Sequence, residues 1–136
     1  MSVARKYHEP YNRVREGNFL SMGSSGSTSA CKTIGILIGT GKIGLLTGHI
    51  LSKAFGATVI AYDPYPSKAA EEHGISYVDT LDELLSMSDI ISLYCPLMDS
   101  TKYIINDNTL AKTKKGVIII NTSRGGLILD TYALIR

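Results

Sequence analysis

Between Ile34 and Ala54 the chain runs straight from a β-branched apolar run into Gly39-Thr40-Gly41-Lys42-Ile43-Gly44 and on into a segment with helical spacing. A Gly-x-Gly-x-x-Gly alone is weak, but here it links a strand to a helix, and Asp63 ends the next apolar run about twenty residues later. Each glycine then has a physical role, one making a tight turn, one leaving room for the backbone to approach a pyrophosphate, and one allowing close packing of helix on strand. The helix N-terminus offers unpaired N–H groups to phosphates. A carboxylate at Asp63 would accept hydrogen bonds from ribose hydroxyls and repel a 2′-phosphate, which points to NAD rather than NADP. A capping role for Asp63 before Pro64 is the plainer alternative, as a ligand-free turn is for the glycines.

The rest of the chain keeps the same alternation. Apolar runs cover Ile34 to Ile38, Ala57 to Tyr62, Asp89 to Tyr94 and Val117 to Ile120, with a weaker one at Ile75 to Val78. They are β-branched-rich and nearly continuous, as strands buried on both faces should be. The first helix carries Ile43, Leu46, Ile50 and Ala54 on one face and is closed by Gly56. A second is expected over Ser67 to His73. A third opens at Thr80 with a capping box through Glu83 and buries Leu84 and Leu85. A fourth starts near Asn106 and ends in Lys112, Lys114, Lys115 and Gly116, residues suited to a helix C-terminus. A fifth begins at Asp130. Strand and helix in regular alternation imply parallel strands with right-handed crossovers, hence an α/β fold with a doubly wound parallel sheet, incomplete at the C-terminus. The last strand would be an unprotected edge.

Ahead of this lies a different kind of sequence. From Met1 to Phe19, Val3, Tyr7, Tyr11 and Val14 recur at helical spacing, with a break at Pro10. Ser21 to Cys31 is rich in Ser and Gly and reads as a flexible linker. The expected organisation is therefore 1–20 helix, 21–31 linker and 32–136 partial nucleotide-binding domain. At 136 residues the chain has room for one domain or less.

Charge and composition narrow the function classes. A formal charge of +2, with basic residues spread along the chain, gives no concentrated basic face for nucleic acid. Apolar runs of about five to eight residues are far short of the roughly 20 of a membrane-spanning helix, and Arg5, Lys6, Glu9 and Glu16 occupy the place of a signal-peptide core. Cys31 and Cys95 have no metal-ligand spacing and read as free thiols in a reducing compartment, so a cytoplasmic protein without metal is expected.

Two further clusters follow buried runs, at the carboxyl ends where ligands of such sheets bind. Cys95-Pro96 is the first; a cysteine nucleophile there would lack a histidine beside it. Asn121-Thr122-Ser123-Arg124-Gly125-Gly126 is the second. Its double glycine permits close backbone approach, and Arg124 can hold a carboxylate in bidentate fashion, a solvated loop arginine being the alternative. His8, His49 and His73 fall on expected helix surfaces and receive no catalytic role.

These blocks, together with Tyr11 to Phe19, Tyr62-Asp63-Pro64-Tyr65-Pro66 and Cys95-Pro96-Leu97, resemble the D-isomer-specific 2-hydroxyacid dehydrogenases, in particular their D-lactate dehydrogenase branch. The resemblance implies a Rossmann-type NAD-binding domain and hydride transfer between the nicotinamide and C2 of a small 2-hydroxy or 2-oxo acid. By position it places Gly39, Gly41, Lys42, Ile43 and Gly44 on the pyrophosphate and Asp63 on the ribose. It lines the rest of the cofactor cleft with Cys95, Pro96, Thr101, Thr122, Ser123 and Arg124, and gives Arg124 the substrate carboxylate. The family's acidic residue and proton-exchanging histidine would fall past Arg136. Ile36-Leu37-Ile38 holds one residue more than the family's strand, which would flip side chains across the sheet unless a bulge absorbs it. Another extra residue falls within Gly126 to Asp130, Tyr94 replaces histidine, and Ser27 and Ser29 replace apolar residues. Other readings of the same residues are a non-catalytic nucleotide-binding or interaction module, as a homo-oligomer or paired with a full-length relative, and a decayed gene product.

Overall fold

The computed structural model describes residues 32–129. The expected helix over Met1 to Phe19, the 21–31 linker with Cys31, Ser27 and Ser29, His8, and the helix from Asp130 lie outside the described residues.

Five parallel strands form one sheet: β1 (Thr33–Leu37), β2 (Thr58–Tyr62), β3 (Ile75–Tyr77), β4 (Ile90–Leu93) and β5 (Ile118–Asn121), in the order β3-β2-β1-β4-β5. The chain winds from β1 outward to β3, then returns past β1 to β4 and β5. The order therefore reverses between β1 and β4, and the sheet opens a crevice at their carboxyl ends. Three helices connect the strands: α1 (Lys42–Lys53), α2 (Leu81–Met87) and α3 (Asp107–Leu110).

Both sheet faces are covered at the centre. Ile36, Val59, Ala61 and Ile75 pack with Ala70 on the α1 side. Leu37, Ile60, Ile91 and Leu93 pack with Leu84 and Leu85 of α2 on the other. The period of two along β1 and β2 sends alternate residues to the two cores, which is why the apolar runs are continuous. The weak run at Ile75 is a true strand, whereas β5 is only half-buried and lies at an edge of the sheet among the described residues.

β1 ends at Leu37, and the chain turns at the next residue. Leu37 already faces the α2 core, and Ile38 packs on that same core instead of crossing to the other face. Its backbone makes this turn at φ +42, in the left-handed region, while its N–H still donates to the Tyr62 carbonyl at 2.8 Å. A β-branched residue there carries strain of about 1–2 kcal/mol. Thr33 to Leu37 pair in continuous parallel register with Thr58 to Tyr62.

Three expectations about helices change. In α1 the face carrying Ile43, Leu46, Ile50 and Ala54 points outward, with Ile43 71% and Leu46 59% exposed. The buried side is Gly44 and Gly48, because a β-carbon on either would overlap Gly39 or Ile75. The helix over Ser67 to His73 is only a 3-10 turn, Lys68–Ala70, with Ala70 its buried residue. The helix from Asn106 stops at Leu110, since the lysine-rich residues beyond it have no face to bury. Its first turn is held by reciprocal bonds between Asn106 and Thr109. Gly56, at φ +63, closes α1 as expected.

At the amino ends of the strands, away from the crevice, Asp89 ties three strands together. Its carboxylate accepts from Thr33 N–H at 2.9 Å and Lys114 Nζ at 3.1 Å, and its carbonyl accepts from Ile118 N–H at 3.1 Å. The Thr33 bond, reinforced by Lys114 against a partial desolvation cost, holds the Asp89 carboxyl below its ordinary 3.8. A lowered folded value means stabilisation that is complete above 3.8 and lost as pH falls below it. Asp89→Ala should lower the unfolding free energy by about 1 kcal/mol at pH 7 in urea titrations, the side chain being partly solvated. The gap to the unsubstituted chain should narrow at pH values below 3.8; a gap independent of pH would refute this account of the carboxylate.

Candidate functional site: a cleft at the carboxyl ends of β1, β2 and β4

The crevice between β1 and β4 widens into a cleft of about 970 Å³. Its floor is the Ile38 to Gly41 loop after β1; one wall is Tyr62 to Tyr65 after β2, and the other comes from Tyr94, Pro96, Met98, Ser100, Thr101 and Ile104. Thr101 builds that second wall. The residue is 2% exposed, and its hydroxyl donates to the Pro96 carbonyl at 2.6 Å and accepts from Met98 N–H at 2.8 Å, folding the 96–101 loop against the cleft.

The three glycines meet different surroundings. A β-carbon on Gly39 would overlap the Tyr94 side chain, and one on Gly44 would overlap the Gly39 carbonyl. Gly41 is different: its φ is −76 and a β-carbon would meet no atom of the described residues within 4 Å beyond its own chain neighbours. Neither backbone strain nor packing explains a glycine there, while a ligand lying against the loop does. Gly41 is also the N-cap of α1 and provides no side-chain cap, so among the described residues no capping side chain meets the first N–H groups of a twelve-residue helix. Lys42 occupies the first helical position, where its charge opposes the helix dipole unless an anion is near. These features fit a pyrophosphate.

Asp63 closes the other side. Its Oδ2 accepts from the Thr40 hydroxyl at 2.7 Å and Thr40 N–H at 3.1 Å, and its Oδ1 accepts from Tyr65 N–H at 2.9 Å.

Of the residues anticipated from sequence, Gly39, Gly41, Asp63, Pro96 and Thr101 line the cleft. Lys42, Ile43 and Gly44 adjoin it in the first turn of α1 but do not line it, and Ile43 is largely exposed. Cys95 is 1% exposed inside the α2-side core, and burial pushes its thiol up, which suits an apolar packing residue and opposes a thiolate nucleophile. Thr122 is exposed, and Ser123 donates its hydroxyl to the Leu93 carbonyl at 3.0 Å, tying the β5 loop to β4. Arg124 is exposed; among the described residues its guanidinium has one hydrogen bond, to the adjacent Ser123 carbonyl at 3.3 Å. Asn121 shapes that loop by accepting from Ser123 N–H at 3.0 Å and donating to the Arg124 carbonyl at 2.9 Å. His49 and His73 stack edge to face at 5.1 Å and line no part of the cleft. Thr40 and Tyr94 were not anticipated as cleft residues; the position of Thr40 between the first two glycines was the available signal.

Fold and cleft together define a doubly wound, Rossmann-type nucleotide-binding domain. The chain belongs to the D-isomer specific 2-hydroxyacid dehydrogenase family, NAD binding domain, which it matches over residues 1–136. It is 53% identical over 99% of its length to D-lactate dehydrogenase kk1H of Curvularia clavata, covering 37% of that protein. To D-lactate dehydrogenase of Escherichia coli it is 48% identical over its whole length, covering 40%. Among solved structures, the pyruvate reductase of Chlamydomonas reinhardtii superposes with a TM-score of 0.89 at 48% identity, over 98% of this chain and 38% of that one. The D-lactate dehydrogenase of Aquifex aeolicus, complexed with NAD and lactic acid, also gives 0.89, at 34% identity over 98% and 39%. The chain thus spans about 40% of the length of these relatives. Among the described residues no helix is long and apolar enough to cross a membrane.

The glycines give a paired prediction. Gly41→Ala should change unfolding free energy by no more than about 1 kcal/mol, its backbone angles being open to alanine, yet weaken NAD at least about tenfold through the lost approach. Gly44→Ala should cost about 3 kcal/mol or more by overpacking helix against strand. Urea unfolding and cofactor titration on both variants check this; equal damage to stability from both would contradict the division of roles.

Proposed function

We propose that this chain is the cofactor-holding part of an NAD-dependent dehydrogenase acting on a small D-2-hydroxy acid, of the D-lactate type. The observation that carries the reading is the cleft at the strand-order reversal, with free room over Gly41 on one side and the Asp63 carboxylate on the other. The relatives' names, D-lactate dehydrogenase above all, support the substrate class. Bound NAD supplies the hydride chemistry itself; the protein binds and orients.

The chain's own residues share that work. The N–H groups opening α1, with Lys42, hold the pyrophosphate against Gly41. Asp63 accepts a hydrogen bond from the adenosine ribose and repels a 2′-phosphate. Pro96 and Thr101 wall the cleft, and Ser123, held on the Leu93 carbonyl, fixes the loop from which the Arg124 fork extends. Arg124 takes the carboxylate of the 2-oxo acid in bidentate fashion, its donors being almost uncommitted within the described residues. Proton exchange at the substrate oxygen is not assigned to His49 or His73, which lie outside the cleft. A buried, unpaired Cys95 accords with a cytoplasmic setting.

Calorimetric titration of the 136-residue chain should show NAD binding weakly but in preference to NADP. NADH absorbance with pyruvate and related 2-oxo acids should show no sustained turnover, since a positioned general acid contributes about 10² to 10⁴-fold and no histidine of the described residues lines the cleft. Tighter NADP binding would sink the ribose assignment. Turnover abolished by Arg124→Ala would sink the claim of catalytic incompleteness while placing Arg124 on the substrate.

A further inference from the structure

The Asp63 carboxylate does not meet the cleft with both oxygens free. Oδ2 accepts twice from a single residue, the Thr40 hydroxyl at 2.7 Å and the Thr40 N–H at 3.1 Å. Oδ1 accepts once, from Tyr65 N–H at 2.9 Å. A carboxylate oxygen offers about two lone-pair sites. Oδ2 is therefore filled by the glycine loop, and Oδ1 keeps one site.

Thr40 makes this grip stiff. It is 5% exposed although it lines the cleft, so its hydroxyl needs a protein partner, and a β-branched side chain has few rotamers in which to seek another. The hydroxyl bond is charge-assisted, roughly twice as strong as a neutral one. Two donors from one residue fix both the distance of the carboxylate from the loop and the plane in which it lies.

We propose that Thr40 is a positioning residue for cofactor choice, holding Oδ2 of Asp63 to the glycine loop so that Oδ1 faces the sugar and the charge stays where a 2′-phosphate would come. The inference rests on the reading of Asp63 as the ribose acceptor. Without the hydroxyl, the amide alone retains Oδ2, and the carboxylate can swing aside. NAD then loses an oriented acceptor, and NADP loses part of the repulsion against it. The two affinities converge, whereas a threonine that merely fills space would on removal weaken both cofactors alike.

Four variants of the full 136-residue chain test this: Thr40→Val, Thr40→Ser, Thr40→Ala and Asp63→Ala, each titrated with NAD and with NADP after circular dichroism has checked folding. Thr40→Val should lower the NAD-to-NADP affinity ratio about three- to tenfold. Thr40→Ser, which keeps the hydroxyl, should stay within about twofold of the unsubstituted chain. If Thr40→Val does not fold, Thr40→Ala carries the same expected fall. A ratio that collapses in Asp63→Ala but not on loss of the Thr40 hydroxyl overturns the inference and leaves the ribose reading standing. A ratio unchanged even in Asp63→Ala overturns that reading and the inference with it.

Discussion

The approach of α1 to the end of β1 is the constraint on which the cleft depends. A β-carbon on Gly44 would overlap the carbonyl oxygen of Gly39, and one on Gly48 would overlap the side chain of Ile75. Only with hydrogen at both positions can the helix lie this close to the sheet. That closeness brings its first turn, with the uncapped N–H groups after Gly41, to the point where the strand order reverses. A helix N-terminus open to an anion follows from backbone packing here, before any side chain takes part.

The same closeness explains why the first helix reads misleadingly. Periodicity finds Ile43, Leu46 and Ile50 on one side and invites that side into the core, yet the sheet accepts the small side, Gly44 and Gly48. Spacing identifies a face; steric room decides which face turns inward. The strands were more legible, because β-branched runs buried on both sides have few alternatives in a parallel sheet. Even the three-residue β3 followed from Ile75, which packs under α1. The helices after β2 and β4 were overextended because a polar segment with good capping residues can hold one turn and still lack a face to continue on.

In the site, what local sequence encodes was legible and what long-range geometry encodes was not. The glycine loop and Asp63 could be placed because a strand-turn-helix and a strand end each fix their own neighbourhood. Whether Arg124, Ser123 and Cys95 reach the cleft depends on loops after β4 and β5, and there the sequence was silent. Cys95 turns into the core, and Ser123 turns back onto Leu93. The left-handed turn at Ile38, one strained residue at the rim of the cleft, likewise needed the fold to be seen. The Thr40 grip on Asp63 spans 23 residues of sequence and needed the fold to be seen.

The central claim is that the crevice between β1 and β4 holds a dinucleotide with its phosphates on the Gly41 loop and its ribose on Asp63. The most direct measurement is an amide-resolved NMR titration of the isotopically labelled chain with NAD. The account predicts the largest shifts at Thr40, Gly41, Lys42 and Ile43, with a second group at Asp63 and Tyr65, and little change around Asp89 at the opposite end of the sheet. Shifts centred elsewhere, or spread evenly over the chain, would contradict it.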